Sequence, residues 1–195
     1  DTLEFDNLTG GLDTARKLVT ASVEHLIFKN ATVANTAVPA VIDLERSPDV
    51  TKLTIGLKDT QASDTKVNII NSKVDTLDYI TNTKSGNLIT IDSVALKTIN
   101  YVNNNSYDTQ LGSVVAEEAT SLNVNLKGIM SGTAKVTANK ATSINLNIDS
   151  LDVVAKDLSF EAEKATSMKI VSVQKDSVFK ASDNNMKALQ NLDIT

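Results

Sequence analysis

The chain has no cysteine and no tryptophan, and only two prolines, seven glycines and one histidine in 195 residues. Without cysteine there is neither a disulfide framework nor a thiolate metal centre. Aromatic residues make up only 4%, which suits thin stacked layers better than the thick core of a sandwich. No apolar run approaches the roughly 20 residues that a membrane-spanning helix requires, so no membrane span is expected. The net charge is −5. The basic residues stand singly, as at Lys52, Lys58, Lys66, Lys73 and Lys84. A nucleic-acid partner needs a basic face to displace counterions, and nucleic acid is therefore excluded as a partner.

What the chain does have is one phrase that keeps returning. Ala119-Thr120-Ser121-Leu122-Asn123-Val124, Ala141-Thr142-Ser143-Ile144-Asn145-Leu146 and Ala165-Thr166-Ser167-Met168-Lys169-Ile170 are near copies. Looser copies anchor at Leu26, Leu53, Leu77, Ile99 and Leu192, each with an apolar residue three positions earlier. From Leu53 to Leu192 the anchors step by 24, 22, 23, 22, 24 and 24 residues. A fixed period in this range marks a solenoid, in which each unit buries its apolar face only against its neighbours.

Each repeat holds two extended segments. In Thr142–Ile148 the residues Ile144, Leu146 and Ile148 alternate with Asn145 and Asn147, the period of a half-buried strand. A second Thr- and Val-rich segment lies midway between anchors, as at residues 67–69, 88–91, 113–116, 135–138 and 158–162. Turn formers separate the two, among them Ser85-Gly86-Asn87, Asn103-Asn104-Asn105, Ser131-Gly132, Asp149-Ser150 and Asp183-Asn184-Asn185. The expected fold is all-β: a right-handed parallel β-solenoid of about eight coils of 22–24 residues, a rod of ~35–40 Å at the usual strand spacing. The seven anchors from Leu53 to Leu192 should form a single internal column. A leucine-rich repeat shares the L-x-x-L-x-L spacing but lacks its asparagine here, and the return segment reads as strand rather than helix.

Residues 1–48 read as an irregular N-terminal cap and first coil, with a loop at Thr9-Gly10-Gly11, a helical turn or extended lead-in over 13–19, and a strand at Val41–Leu44. Residues 49–195 read as the regular repeats of the same continuous domain. Asp1 opens the chain without Met, and the sequence reads as a fragment of a longer polypeptide.

Candidate sites are few. His25, on the polar face of the first anchor strand, has no triad spacing around it and reads as a surface histidine. The carboxylate pairs Asp43/Glu45, Glu117/Glu118, Asp149/Asp152 and Glu161/Glu163 could serve a glycosidase. They alternate with lysine, however: Lys140 and Lys164 take the repeat position of Glu118, which reads as pairing of charges across coils. No catalytic residue and no cofactor site is expected. Calcium could suit the Asp- and Asn-rich corners at Asp6-Asn7, Asp149-Ser150 and Asp183-Asn184-Asn185, although neither a calcium-loading nonapeptide nor an EF-hand loop occurs. Sequons stand at Asn7, Asn30 and Asn104, and the pair Thr81-x-Thr83 is not continued as an ice-binding ladder would be.

The Ala-Thr-Ser-Leu-Asn-Val phrase and the run Gly132–Leu146 resemble the repeat region of surface-layer proteins of Gram-negative bacteria, most clearly over residues 110–195. The resemblance implies a secreted, cell-surface location, export by the type I route and a calcium-stabilised lattice tethered to lipopolysaccharide through the parent protein. It also implies other copies of the chain as partners. The expected function is that of a structural, non-catalytic segment, a rigid spacer and lattice-contact module. Similar repeats occur in large RTX adhesins, so an adhesin binding domain is the alternative, and a polysaccharide-degrading β-helix enzyme a lesser one.

Overall fold

A computed structural model describes residues 1–6, 16–32, 39–58, 65–81, 87–103, 113–128, 133–149, 157–172, 179–180 and 186–195. Among them are seventeen strands and no helix. In chain order the strands are β1 (Thr2–Asp6), β2 (Arg16–Val19), β3 (His25–Ala31), β4 (Ala40–Arg46), β5 (Lys52–Leu57), β6 (Thr65–Ile70), β7 (Thr76–Thr81), β8 (Asn87–Ile91) and β9 (Thr98–Asn103). The second half continues with β10 (Ser113–Val115), β11 (Ser121–Gly128), β12 (Thr133–Thr137), β13 (Ser143–Asp149), β14 (Asp157–Glu161), β15 (Ser167–Ser172), β16 (Phe179–Lys180) and β17 (Asn191–Ile194). Odd-numbered strands form one nine-stranded sheet and even-numbered strands an eight-stranded sheet, each strand beside the one a coil earlier. The described pairings are all parallel. This is a β-solenoid: eight pairs of strands and a ninth odd strand.

Strand formation follows from the alternation. In β5 and β7 every second residue is buried, and the others stay partly exposed. The inner faces of both sheets close on one apolar cluster that runs the length of the stack. Strand backbones pair with the strands a coil before and after, so each coil adds apolar contact while extending the same hydrogen-bonded ladders. At Asn30 the β3–β5 register shifts. Asn30 adopts φ 51° there, a left-handed conformation that Asn tolerates better than most residues. Asn71 (φ 53°) does the same at a corner. The stretch 13–19, open between helix and lead-in in the sequence, forms β2 over its described part.

The seven anchors do not form one column. Leu26, Leu53, Leu77 and Ile99 are registered partners, but the partner of Ile99 on β11 is Val124, not Leu122. That column continues through Leu146, Ile170 and Ile194. Leu122, Ile144, Met168 and Leu192 form a separate column that begins at β11, and Leu192 at its end is 54% exposed.

The cause is a corner that slides by one pleat. In the earlier coil the buried sequence runs Ile89, Ile91, Ser93, Leu96, Ile99, Tyr101; in the next it runs Val114, Ala116, Ala119, Leu122, Val124, Leu126. Both corners close with the same backbone hydrogen bond, from Leu96 N–H to the Ser93 carbonyl and from Ala119 N–H to the Ala116 carbonyl. In the second case the turn comes two residues sooner, so β10 is short and β11 long. The path around the corner keeps its length. Val67 and Leu77, Ile89 and Ile99, Val114 and Val124, Val136 and Leu146, and Phe160 and Ile170 occupy equivalent places and lie ten residues apart in every pair. A two-residue slide leaves inside and outside unchanged, whereas a slide of one would turn every side chain over.

Candidate functional surface

The outer face of the nine-stranded sheet carries the most organised polar chemistry in the described residues. Register places Thr54, Asp78, Asn100, Asn125 and Asn147 in one outward row. Asn147 Nδ2 donates to Asn125 Oδ1 at 2.7 Å, Asn125 Nδ2 to Asn100 Oδ1 at 2.7 Å, and Asn100 Nδ2 to Asp78 Oδ1 at 2.7 Å. Each amide points its N–H one coil toward the N-terminus. The aligned dipoles polarise one another and end on a carboxylate. A parallel step in the adjacent row joins Asn145 Nδ2 to Asn123 Oδ1 at 2.8 Å.

Asp78 receives two further donors. Lys52 Nζ lies 2.9 Å from Oδ2, and Thr54 Oγ1 donates to Oδ2 at 3.3 Å. Burial opposes ionisation of Asp78, but the hydrogen bonds from Asn100, Lys52 and Thr54 outweigh it and hold the carboxyl below its usual range. His25 is pulled below its ordinary value, first by burial and then by the neighbouring Lys52, with Asp78 acting the other way.

These four residues do not make a nucleophilic site. His25 Nε2 is 2.9 Å from Thr54 Oγ1, the separation expected of a base and its nucleophile. A hydroxyl has one proton, however, and the ionised Asp78, which can only accept, takes it. The ring nitrogen then serves Thr54 as an N–H donor, and no lone pair remains there to abstract a proton. The arrangement is a brace across β3, β5, β7 and β9. His25 thus sits on the outer face, as its position in the alternation implies.

Several members of the acidic pairs are likewise engaged. Lys135 Nζ bonds Glu161 Oε1 at 2.6 Å, and Thr137 Oγ1 reaches Oε2 at 3.3 Å, so the Lys135 hydrogen bond lowers the pKa of Glu161. Lys140 pairs with Glu118 across one coil, and Asn139 Nδ2 donates to Glu117 Oε1 at 3.3 Å. Asp43 is buried and accepts from Asn71 Nδ2 and from the Glu45 N–H, both at 3.0 Å. The expected pairing of unlike charges across coils therefore holds at Glu118 and Lys140. Asp152, Asn7 and Asn104, with Ser150 and residues 183–185, lie outside the described residues, and so do most of the corners proposed for calcium. Among the described residues no three His, Asp or Glu side chains gather to hold a metal ion, and no helix is long and apolar enough to cross a membrane. No family model, curated protein sequence or solved structure matches the chain.

The amide row was only half visible in the sequence. Alternation puts Asn123, Asn125, Asn145 and Asn147 outside, but which amide meets Asp78 depends on register. The pKa directions fix a pH response. The lowered His25 pKa means that the folded chain resists protonation there, so stability falls as pH drops through 6.5, the ordinary histidine value. The lowered Asp78 pKa adds a second loss as pH falls through and below the usual carboxylate range near 4. In thermal melts His25→Gln should flatten the decline between about pH 7 and 5, and Asp78→Asn the more acidic one. An unchanged pH profile in both variants contradicts the assignment.

Proposed function

We propose that this chain is a structural, non-catalytic segment of a secreted bacterial cell-surface protein of the surface-layer kind, serving as a rigid spacer and contact module in a self-assembling lattice. The observation that carries the reading is the uninterrupted amide row from Asn147 to Asp78 on a stack whose neighbouring coils are paired strand to strand in both sheets. Such a stack resists bending because any bend opens backbone ladders and side-chain bonds together. The repeat phrasing adds the likeness to surface-layer proteins, and the regular polar face supplies a surface for protein contacts. In this reading calcium and lipopolysaccharide act on the parent protein.

The test is antibody labelling of intact, unpermeabilised cells that express the parent protein. Antibodies raised against this chain should label the surface in a regular array by electron microscopy, and calcium chelation should shed the label. Label confined to the cell interior rules the proposal out.

A further inference from the structure

On the nine-stranded sheet, the outward row beside the amide row runs from Thr2 on β1 and His25 on β3 through Lys52 on β5 to Lys169 on β15 and Asp193 on β17, and its first full charge is Lys52. Between these charges it holds only Thr76, Thr98, Asn123 and Asn145. Lys52 is bonded to Asp78 on β7, and Lys169 stands 3.8 Å from Asp193. Along the stack the charges therefore read plus, minus, a neutral centre, then plus, minus.

We propose that a second copy of this chain docks face to face on this surface, about a two-fold axis that lies along β11. The proposal rests on the self-assembly reading above and says which face assembles. Under that axis β11 opposes itself, β9 opposes β13, β7 opposes β15, and β5 opposes β17. Lys52 then meets the second copy's Asp193, and Asp78 stands diagonally across from the second copy's Lys169. Stacking the two copies in the same direction would instead set Lys52 against Lys52 and Asp193 against Asp193, so charge selects the reversed arrangement.

Two further features fit this occupant. Asn100 and Asn125 each use one N–H and one oxygen lone pair within the chain, which leaves each a second N–H and a second lone pair for a partner. Another β-stack presents partners at the same spacing of about 4.8 Å along its axis, the relation found between mated sheets. Seven overlapping strands of about 20 Å give on the order of 600 Å² per copy, the lower end of specific interfaces. Lys127, outward on β11 as well, meets its own copy across the axis at the rim of this face, where it is exposed and already engaged within its own chain.

A residue on a two-fold axis faces itself, which makes the test decisive. In sedimentation equilibrium the 195-residue chain should dimerise. Asn123→Lys and Asn123→Asp should each weaken self-association by about tenfold or more, and an equimolar mixture of the two should recover it. Circular dichroism establishes that each variant is folded. If the Asn123 variants fail to fold, Thr98→Asp and Asn145→Lys, which lie opposite each other across the axis, should associate more tightly when mixed than either does alone. A chain that stays monomeric at millimolar concentration overturns the proposal. So does association that survives in both Asn123 variants and is lost in Leu192→Glu, since that outcome moves the contact to the exposed end of the stack. Surface labelling of cells with a monomeric chain defeats this proposal alone, and a dimer without surface labelling defeats only the functional reading.

Discussion

Leu122→Asp and Ile144→Asp should each leave the chain without a cooperative melting transition. Both side chains are essentially inaccessible, at 0% and 1%, and they are direct neighbours in the column that continues to Met168. A carboxylate there has no side-chain donor beside it, because its inward neighbours in the column and the next one, Met168, Val124 and Leu146, are apolar. Leaving it ionised and unpaired, or forcing it to take up a proton, costs several kcal/mol on top of the lost packing. That is comparable with the entire stability of an ordinary domain, about 5–15 kcal/mol. Thr120→Asp, two residues from Leu122 and exposed, is the control and should lie within about 0.5 kcal/mol of the wild type. Far-ultraviolet circular dichroism with a thermal ramp reads all three. A Leu122→Asp chain that melts like the Thr120→Asp control means that the interior is assigned wrongly.

The strands were legible because burial on one face forces a period of two, and both strands of most repeats carry it. Val67-Asn68-Ile69 and Ser143–Ile148 needed no coordinates to be read as strands with a known inside. Register was less legible, for a reason that lies in the repeat phrase itself. The phrase Ala-x-x-Ala-Thr-Ser-Leu marks the corner, where a small buried residue bonds the amide three positions later, as Ala138 does with Ala141. Aligning the phrases therefore aligns corners. Where the corner stays at the same height on the strands, from Leu122 through Ile144 to Met168, corners and strands agree. Between Ile99 and Leu122 the corner slides while the strands do not, and the alignment picks the wrong partner.

The polar face shows the same division. That Asn145 and Asn147 point outward follows from their neighbours Ile144, Leu146 and Ile148. That Asn100 lies beside Asp78 follows only from the β7–β9 register, and the direction of the amide chain only from the positions of the side-chain atoms. The charge pairing of Lys140 with Glu118 could be read because the two occupy the same place in near-identical phrases. Lys52 and Asp78 sit in adjacent rows of unlike repeats, and nothing in the spacing announces them.

Tyr79→Ala should divide the stack into two parts that unfold separately. Tyr79 and Tyr101 are 0% and 1% exposed and stack with ring centroids 5.6 Å apart and planes 25° from parallel. They fill the interior at β7 and β9, in the column that holds Ile55 before them and Leu126 after. Removing a buried ring costs about 3–5 kcal/mol through lost transfer energy and the void left behind. Because a solenoid coil touches only its neighbours, that loss falls on one interface rather than on the whole molecule. The interface lies directly before the sliding corner, so the coils on its two sides also differ in how their corners pack. Denaturant unfolding should therefore change from one transition to two, with a shallower slope for each, since each exposes less surface. Hydrogen exchange should place the earlier opening around β7 and β9. The double variant Tyr79→Ala, Tyr101→Ala should lose less than the sum of the two single losses by about 0.5–1.5 kcal/mol, the part carried by the ring pair itself. A single transition at the wild-type midpoint in Tyr79→Ala would mean that the two rings are not neighbours inside the stack.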